Sequence, residues 1–226
     1  MQANYVQRLR LTFRKVGPTR FIGHLDLART LERSLNRAGI PIAYSQGFNR
    51  RPRMALAVAL PLGYTSDSEL ADIWLAEAMQ PAQAQAQLMS RIAPGLEIVA
   101  VQEIPIKEPS LETLTVSAAY VISFLDSQDV EDLQSKIDTI LDSETIICER
   151  KQGRKGKIKQ YNLRPLILDL ALDKTDAGQT HLLAELALMP AKTGRPDEVL
   201  RLLNIDPLSA HVHRTKITLN DTVSSA

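Results

Sequence analysis

The spacing of hydrophobic residues changes in a set order along the first half of the chain, and that order constrains the fold more than any one motif. Val6, Leu9, Leu11 and Phe13 alternate, imperfectly, with arginines, which is the period of a strand. After a Gly-Pro break, residues 23–38 carry Leu27 or Ala28, Leu31, Leu35 and Ala38 at three-to-four spacing, which predicts a helix that stops at Gly39. Short strands are expected at "PIAYS" and "MALAVALPL", a longer one at "SELADIWLAE", a helix at "PAQAQAQLMSRI" and a closing strand at "GLEIVAVQEI". The order is β-α-β-β-α-β, the split βαβ arrangement of ferredoxin-like domains.

The stretch "PIKEPSLETL" has the prolines and charges of a linker, and the order of elements then returns. "SAAYVISFL" is a strand and "DVEDLQSKIDTILD" a helix. "ETIICERK" and "KIKQYNLRPLILDLAL" are expected to form a hairpin around "QGRKG". "THLLAELALMPA", "GRPDEVLRLLN" and "AHVHRTKITL" complete the set as strand, helix and strand. The expected fold class is α+β, with two tandem ferredoxin-like domains: residues 1–105, a linker at 106–116, and residues 117–226. No residue-level repeat accompanies the repeated order, and an ordinary α+β domain is the alternative.

A single cysteine, Cys148, excludes a disulfide framework and an iron–sulfur cluster held by this chain alone. No secretory leader or membrane-spanning run is visible, so the expected location is the cytoplasm. The net charge of +1 hides a strong asymmetry: residues 1–60 sum to +9, residues 61–148 to −12 and residues 149–226 to +4. A clustered positive field attracts polyanions, unless the acidic block folds back and neutralises it.

Four basic pieces carry the functional expectation. Arg29, Arg33 and Arg37 are four residues apart and form one ridge on the first helix, serving either an anion or solubility. Arg14, Lys15, Arg20 and His24 flank the Gly-Pro turn that leads into that helix. The loop "YSQGFNRRPR" offers Arg50, Arg51 and Arg53 as planar forks for phosphate. Tyr44 and Phe48 are there to stack on bases or support the loop, and Gln46 to bond a base or the backbone. Lys151, Arg154 and Lys155 belong to the basic tip "RKQGRKGKIK", where like charges favour either a polyanionic partner or a solvated hairpin.

Signs of an enzyme are few. His211 and His213 share a strand face but have no metal-site spacing with other ligands, and His181 sits before an apolar strand. His24 alone would suit proton transfer on RNA near neutral pH. No metal site and no cofactor in this chain are expected.

The segment "RLRLTFRKVGPTRFIGHLDLARTLERSLNRAGIPIAYSQGFNRRPRMALAVALPLG" resembles the DUF2344 family, closely over residues 8–78 and more loosely beyond. Arg50 departs from the pattern, standing where the family usually has proline. The resemblance implies association with a radical SAM, B12-binding-type protein, fused to this chain or separate. This chain lacks the three-cysteine cluster motif of such an enzyme, so the implied role is accessory. The expected function is therefore a non-catalytic, substrate-presenting module that binds RNA, tRNA or rRNA, through its arginine-rich N-terminal face. The alternatives are a protein-docking adaptor without RNA binding, and a metal-independent endoribonuclease using His24. The tandem arrangement is similar to that of CRISPR repeat-processing endoribonucleases, but their C-terminal glycine-rich loop has no counterpart in residues 190–226.

Overall fold

The structure, a computed structural model, describes residues 5–46, 48–152, 157–174, 178–190 and 192–220. These form a mixed α+β fold in two compact units, residues 1–115 with 216–226, and residues 116–215.

In the first unit the order is β1 (Gln7–Lys15), a 3-10 turn (Gly17–Phe21), α1 (His24–Arg37), β2 (Met54–Leu56), β3 (Thr65–Leu75), α2 (Pro81–Met89), β4 (Leu96–Ile104) and the short α3 (Leu111–Leu114). All the strand pairs are antiparallel, and the sheet order is β4-β1-β3-β2. Leu9, Leu11 and Phe13 on one face of β1 are fully buried against Leu27, Leu31 and Leu35 of α1 and Ala84 and Leu88 of α2. The helix ends at Gly39, whose φ of +66° is the left-handed conformation that favours glycine, and Ile40 N–H closes the cap on Leu35 O at 3.1 Å. Of the two expected strands between α1 and β3, "PIAYS" is reduced to isolated bridges at Ile42 and Tyr44, and "MALAVALPL" to three residues. Residues 106–116, expected as a linker, contain α3, capped by Ser110 and buried through Leu111 and Leu114.

The other face of β1 explains its imperfect alternation. Antiparallel register sets Arg10 opposite Asp72 and Arg8 opposite Trp74, so these side chains share the sheet face away from the helices. Arg8 Nε donates to Asp72 Oδ2 at 3.1 Å and Arg10 Nε to Asp72 Oδ1 at 2.8 Å. Arg8 also donates to the carbonyls of Glu108 and Pro109, and its guanidinium lies 4.8 Å from the Trp74 ring centroid. Arg8 is 2% exposed and Asp72 not at all, so this is an internal ion cluster that ties the segment after β4 to the sheet.

The second unit runs β5 (Thr115–Phe124), α4 (Val130–Asp142), β6 (Ile147–Gln152), β7 (Lys157–Asn162), β8 (Ile167–Lys174), β9 (Thr180–Met189), β10 (Lys192–Thr193), α5 (Pro196–Leu202) and β11 (Ala210–Leu219, of which 210–215 belong here). Its sheet order is β11-β5-β9-β8, with β10 added to the end of β9. Residues 157–172, expected as one strand, are two. Pro165 sits in a 3-10 turn at Arg164–Leu166, so β7 pairs only with β6, while β8 pairs with β9.

Candidate nucleic-acid interface

The loop 44–53 leaves and rejoins the edge of β3 through paired legs. Ala43 N–H donates to Trp74 O at 2.7 Å, Arg53 N–H to Ala43 O at 2.8 Å, and Trp74 N–H to Arg53 O at 3.1 Å. One step further out, Ser45 N–H donates to Arg51 O at 2.9 Å, and Arg51 N–H to Ser45 Oγ at 3.0 Å. Beyond these bonds the described tip residues Gln46, Phe48, Asn49 and Arg50 are exposed, as is Arg51. Gly47 lies outside the described residues.

The side chains of the loop divide by role. The Tyr44 hydroxyl donates to Asn36 Oδ1 of α1 at 3.0 Å, so Tyr44 fastens the loop to the helix. Arg53 is half-buried, its guanidinium 4.6 Å from the Tyr5 ring centroid and 5.9 Å from that of Trp74, which braces the inner leg. Arg50 and Arg51 have no carboxylate partner among the described residues.

Asn36 is one helical turn beyond Arg33 and adjacent to Arg37, so the Tyr44 bond sets the loop beside the basic ridge. Arg33 is exposed and, among the described residues, has no ion-pair partner. Arg37 donates to Arg91 O at 3.0 Å and Ser34 Oγ at 3.3 Å, keeping its charge at the end of the helix. Arg29 meets Asp26 at 3.4 Å, with both side chains more than 60% exposed. An exposed pair of this kind contributes little stability and leaves the guanidinium accessible.

At the other end of α1 the Gly-Pro turn is held by Gly95: Val16 N–H donates to Gly95 O at 2.9 Å, and Thr19 Oγ1 donates there at 3.0 Å. Arg20 lies over the ring of Phe21 at 4.7 Å, and Phe21 is 64% exposed. Two expected contacts are corrected here. Lys15 is 1% exposed, with Nζ donating to Tyr64 O at 3.3 Å, and so is out of reach of a polyanion. Arg14 is half exposed but held between Asp67 at 3.3 Å and Glu97 at 3.2 Å, because register places Glu97 opposite it on β4. The acidic block therefore does fold back on part of the basic one, through Asp67, Asp72 and Glu97. Arg20, Arg33, Arg37, Arg50, Arg51 and Arg53 remain without a carboxylate partner among the described residues.

His24 opens α1 half-buried, its Nδ1 is buried without a hydrogen-bond partner, and among the described residues no carboxylate is paired with the ring to orient it for proton transfer. Among the described residues no cluster of three His, Cys, Asp or Glu is placed to hold a metal ion. No helix among them is long and apolar enough to cross a membrane.

Of the basic hairpin, Arg154 and Lys155 and the side chain of Lys151 lie outside the described residues. Its base is anchored by a cluster that sequence reasoning missed. Arg150 donates from Nη2 to Glu198 Oε2 at 2.7 Å and to Thr193 O at 3.1 Å, and its guanidinium lies 4.7 Å from the Tyr161 ring centroid. Burial, reinforced by the Glu198 carboxylate, pushes the Tyr161 phenol well above its ordinary range. The same two causes, in the same order, push the Cys148 thiol up.

The model of a family described as "Uncharacterized protein conserved in bacteria (DUF2344)" matches residues 8–196, and the chain belongs to that family. No curated protein matches the chain. Among solved structures it is similar to a chain of "Crystal Structure of a Cbf5-Nop10-Gar1 Complex", at 8% identity and a TM-score of 0.49, covering 94% of this chain and 50% of that one. A second is "Crystal structure of the archaeal box H/ACA sRNP Nop10-Cbf5 complex", at 8% identity and a TM-score of 0.45, covering 95% and 49%. The chain thus spans about half the length of those solved chains, and likenesses at these scores carry no argument about function.

Proposed function

We propose that this DUF2344 chain is a non-catalytic accessory module, cytoplasmic, that binds RNA and presents it to a radical SAM, B12-binding-type protein, fused to it or separate. Each unit is read as a ferredoxin-like domain, the second with the β6–β7 hairpin inserted. The sheet orders β4-β1-β3-β2 and β11-β5-β9-β8 support this, since both set the outer two strands of a βαββαβ unit around the inner pair in the same way.

The observation that carries the RNA reading is the Tyr44–Asn36 hydrogen bond. It joins two segments that are each explicable alone as solvated surface into one surface bearing Arg33, Arg37, Arg50 and Arg51. With about 1.5 Å of rise per residue, α1 extends this surface roughly 18 Å toward Arg29 and Arg20. Guanidinium groups without internal carboxylates are suited to phosphate oxygens, because binding there costs no existing ion pair. The radical SAM association rests on the family resemblance.

The test is fluorescence anisotropy with total tRNA at low and moderate salt, comparing the wild type with the Arg50→Ala/Arg51→Ala variant. Arg53 is left in place because it braces the loop on Tyr5 and Trp74. Binding that weakens steeply with salt, and that the variant loses, is the expected result. Absence of binding by the wild type overturns the reading in favour of a protein-docking adaptor.

A further inference from the structure

Resting on that RNA reading, we propose that the strand taken by this surface is unpaired, and that Phe48 is the platform on which one of its bases stacks. Phe48 is 106% exposed, so nothing among the described residues covers its ring. A phenylalanine left in water forgoes the whole benefit of burial, and a ring face so exposed is available to a base. The loop's other planar groups are held against the protein: the Tyr44 hydroxyl is bonded to Asn36, which fixes its half-buried ring, and the Arg53 guanidinium lies over Tyr5 and Trp74. The legs beneath the tip are tied by the Ser45–Arg51 and Ala43–Arg53 bonds, so the ring is carried on a supported base.

Arg50 and Arg51 follow within three residues, exposed and without carboxylate partners among the described residues. A bare ring beside bare guanidinium groups matches a nucleotide whose base face and phosphate are both available. Duplex RNA offers its phosphates and 2′-hydroxyls but hides its base faces in the stack, so it uses the arginines and leaves the ring idle. At the far end of α1, Phe21 repeats the pattern in part, 64% exposed beneath the Arg20 guanidinium.

The experiment uses the full chain and a fluorescein-labelled, unstructured RNA 12-mer, free or annealed to its complement, with wild type, Phe48→Ala, Phe48→Tyr and Arg50→Ala/Arg51→Ala. Circular dichroism first confirms that the variants melt with the wild type. The single strand is expected to bind at least about tenfold tighter than the duplex. Phe48→Ala should weaken single-strand binding by roughly 5- to 150-fold. It should leave duplex binding unchanged, and Phe48→Tyr should retain wild-type affinity. A Phe48→Trp variant should show indole quenching with the single strand and none with the duplex.

Equal affinity for the two RNAs, or a Phe48→Ala loss that is the same on both, overturns the unpaired-strand inference. In that case, salt-sensitive binding that disappears in Arg50→Ala/Arg51→Ala leaves the RNA reading standing. Absence of binding to either RNA overturns both, and makes a protein partner the candidate cover for the ring.

Discussion

Two sets of arginines, about forty residues apart in one basic run, meet opposite fates. Arg8 and Arg10 are drawn onto Asp72 in the interior, while Arg50 and Arg51 stand in solvent with no carboxylate partner among the described residues. The residue type is the same, so the difference lies in what the opposite strand delivers. Antiparallel register brings Asp72 and Trp74 across from Arg10 and Arg8, and Glu97 across from Arg14. Of the loop arginines, Arg51 sits on the outermost bonded rung, across from Ser45, and Arg50 beyond it, and among the described residues neither has an acidic residue delivered opposite it. Charge in a sequence block is thus not charge on a surface.

The contrast breaks most visibly at Asp72. Asp72→Ala leaves two largely buried guanidinium groups unpaired and should cost about 3–5 kcal/mol, read as a large fall in the urea midpoint. A change under 1 kcal/mol, in the same order-of-magnitude terms, would mean that water or another group solvates those arginines. Next comes Gly95→Ala. Gly95 has φ of +86°, and an added Cβ would lie 2.5 Å from Thr19 Cγ2 and 2.9 Å from Val16 O. Strain and overlap together should cost about 3 kcal/mol and loosen the turn that carries Arg20.

Glu198→Gln sharpens the comparison in the second unit, where Arg150 is a further inward arginine, and should cost about 2 kcal/mol. It should also lower the pH at which Tyr161 ionises, measured by phenolate absorbance. In the wild type the raised phenol value gives a contribution to stability that is whole below the unfolded tyrosine value of about 10 and is lost as pH rises toward the folded one. An unshifted phenolate titration in the variant would remove Glu198 from that account. At the small end, Arg50→Ala/Arg51→Ala should change stability by less than about 0.5 kcal/mol, since neither guanidinium has an ion-pair partner among the described residues. A larger loss would place those arginines with the structural set.

How much of this was legible follows from which interactions are local. The helices at 24–37 and 130–142 declare themselves because their buried leucines and isoleucines recur at helical spacing. The alternation in β1 is equally plain, but its arginines read as surface, because only the register with β3 reveals Asp72. Reading through Pro165 merged β7 with β8. A proline within an apparent strand is the signal that separates them. In the candidate interface, the clustering of Arg50 and Arg51 and the Arg29–Arg33 spacing were visible in the chain itself. That Lys15 turns inward, and that Tyr44 reaches Asn36, depends on tertiary placement that composition does not encode.

The most direct test of the division between inward and outward arginines is the salt dependence of RNA binding, as the slope of log K against log salt. For a single strand, losing two phosphate contacts should make the slope of the Arg50→Ala/Arg51→Ala variant shallower by about 1.4 than that of the wild type. An identical slope would contradict the account, since it would mean that these two arginines touch no phosphate and that any RNA affinity arises elsewhere on the chain.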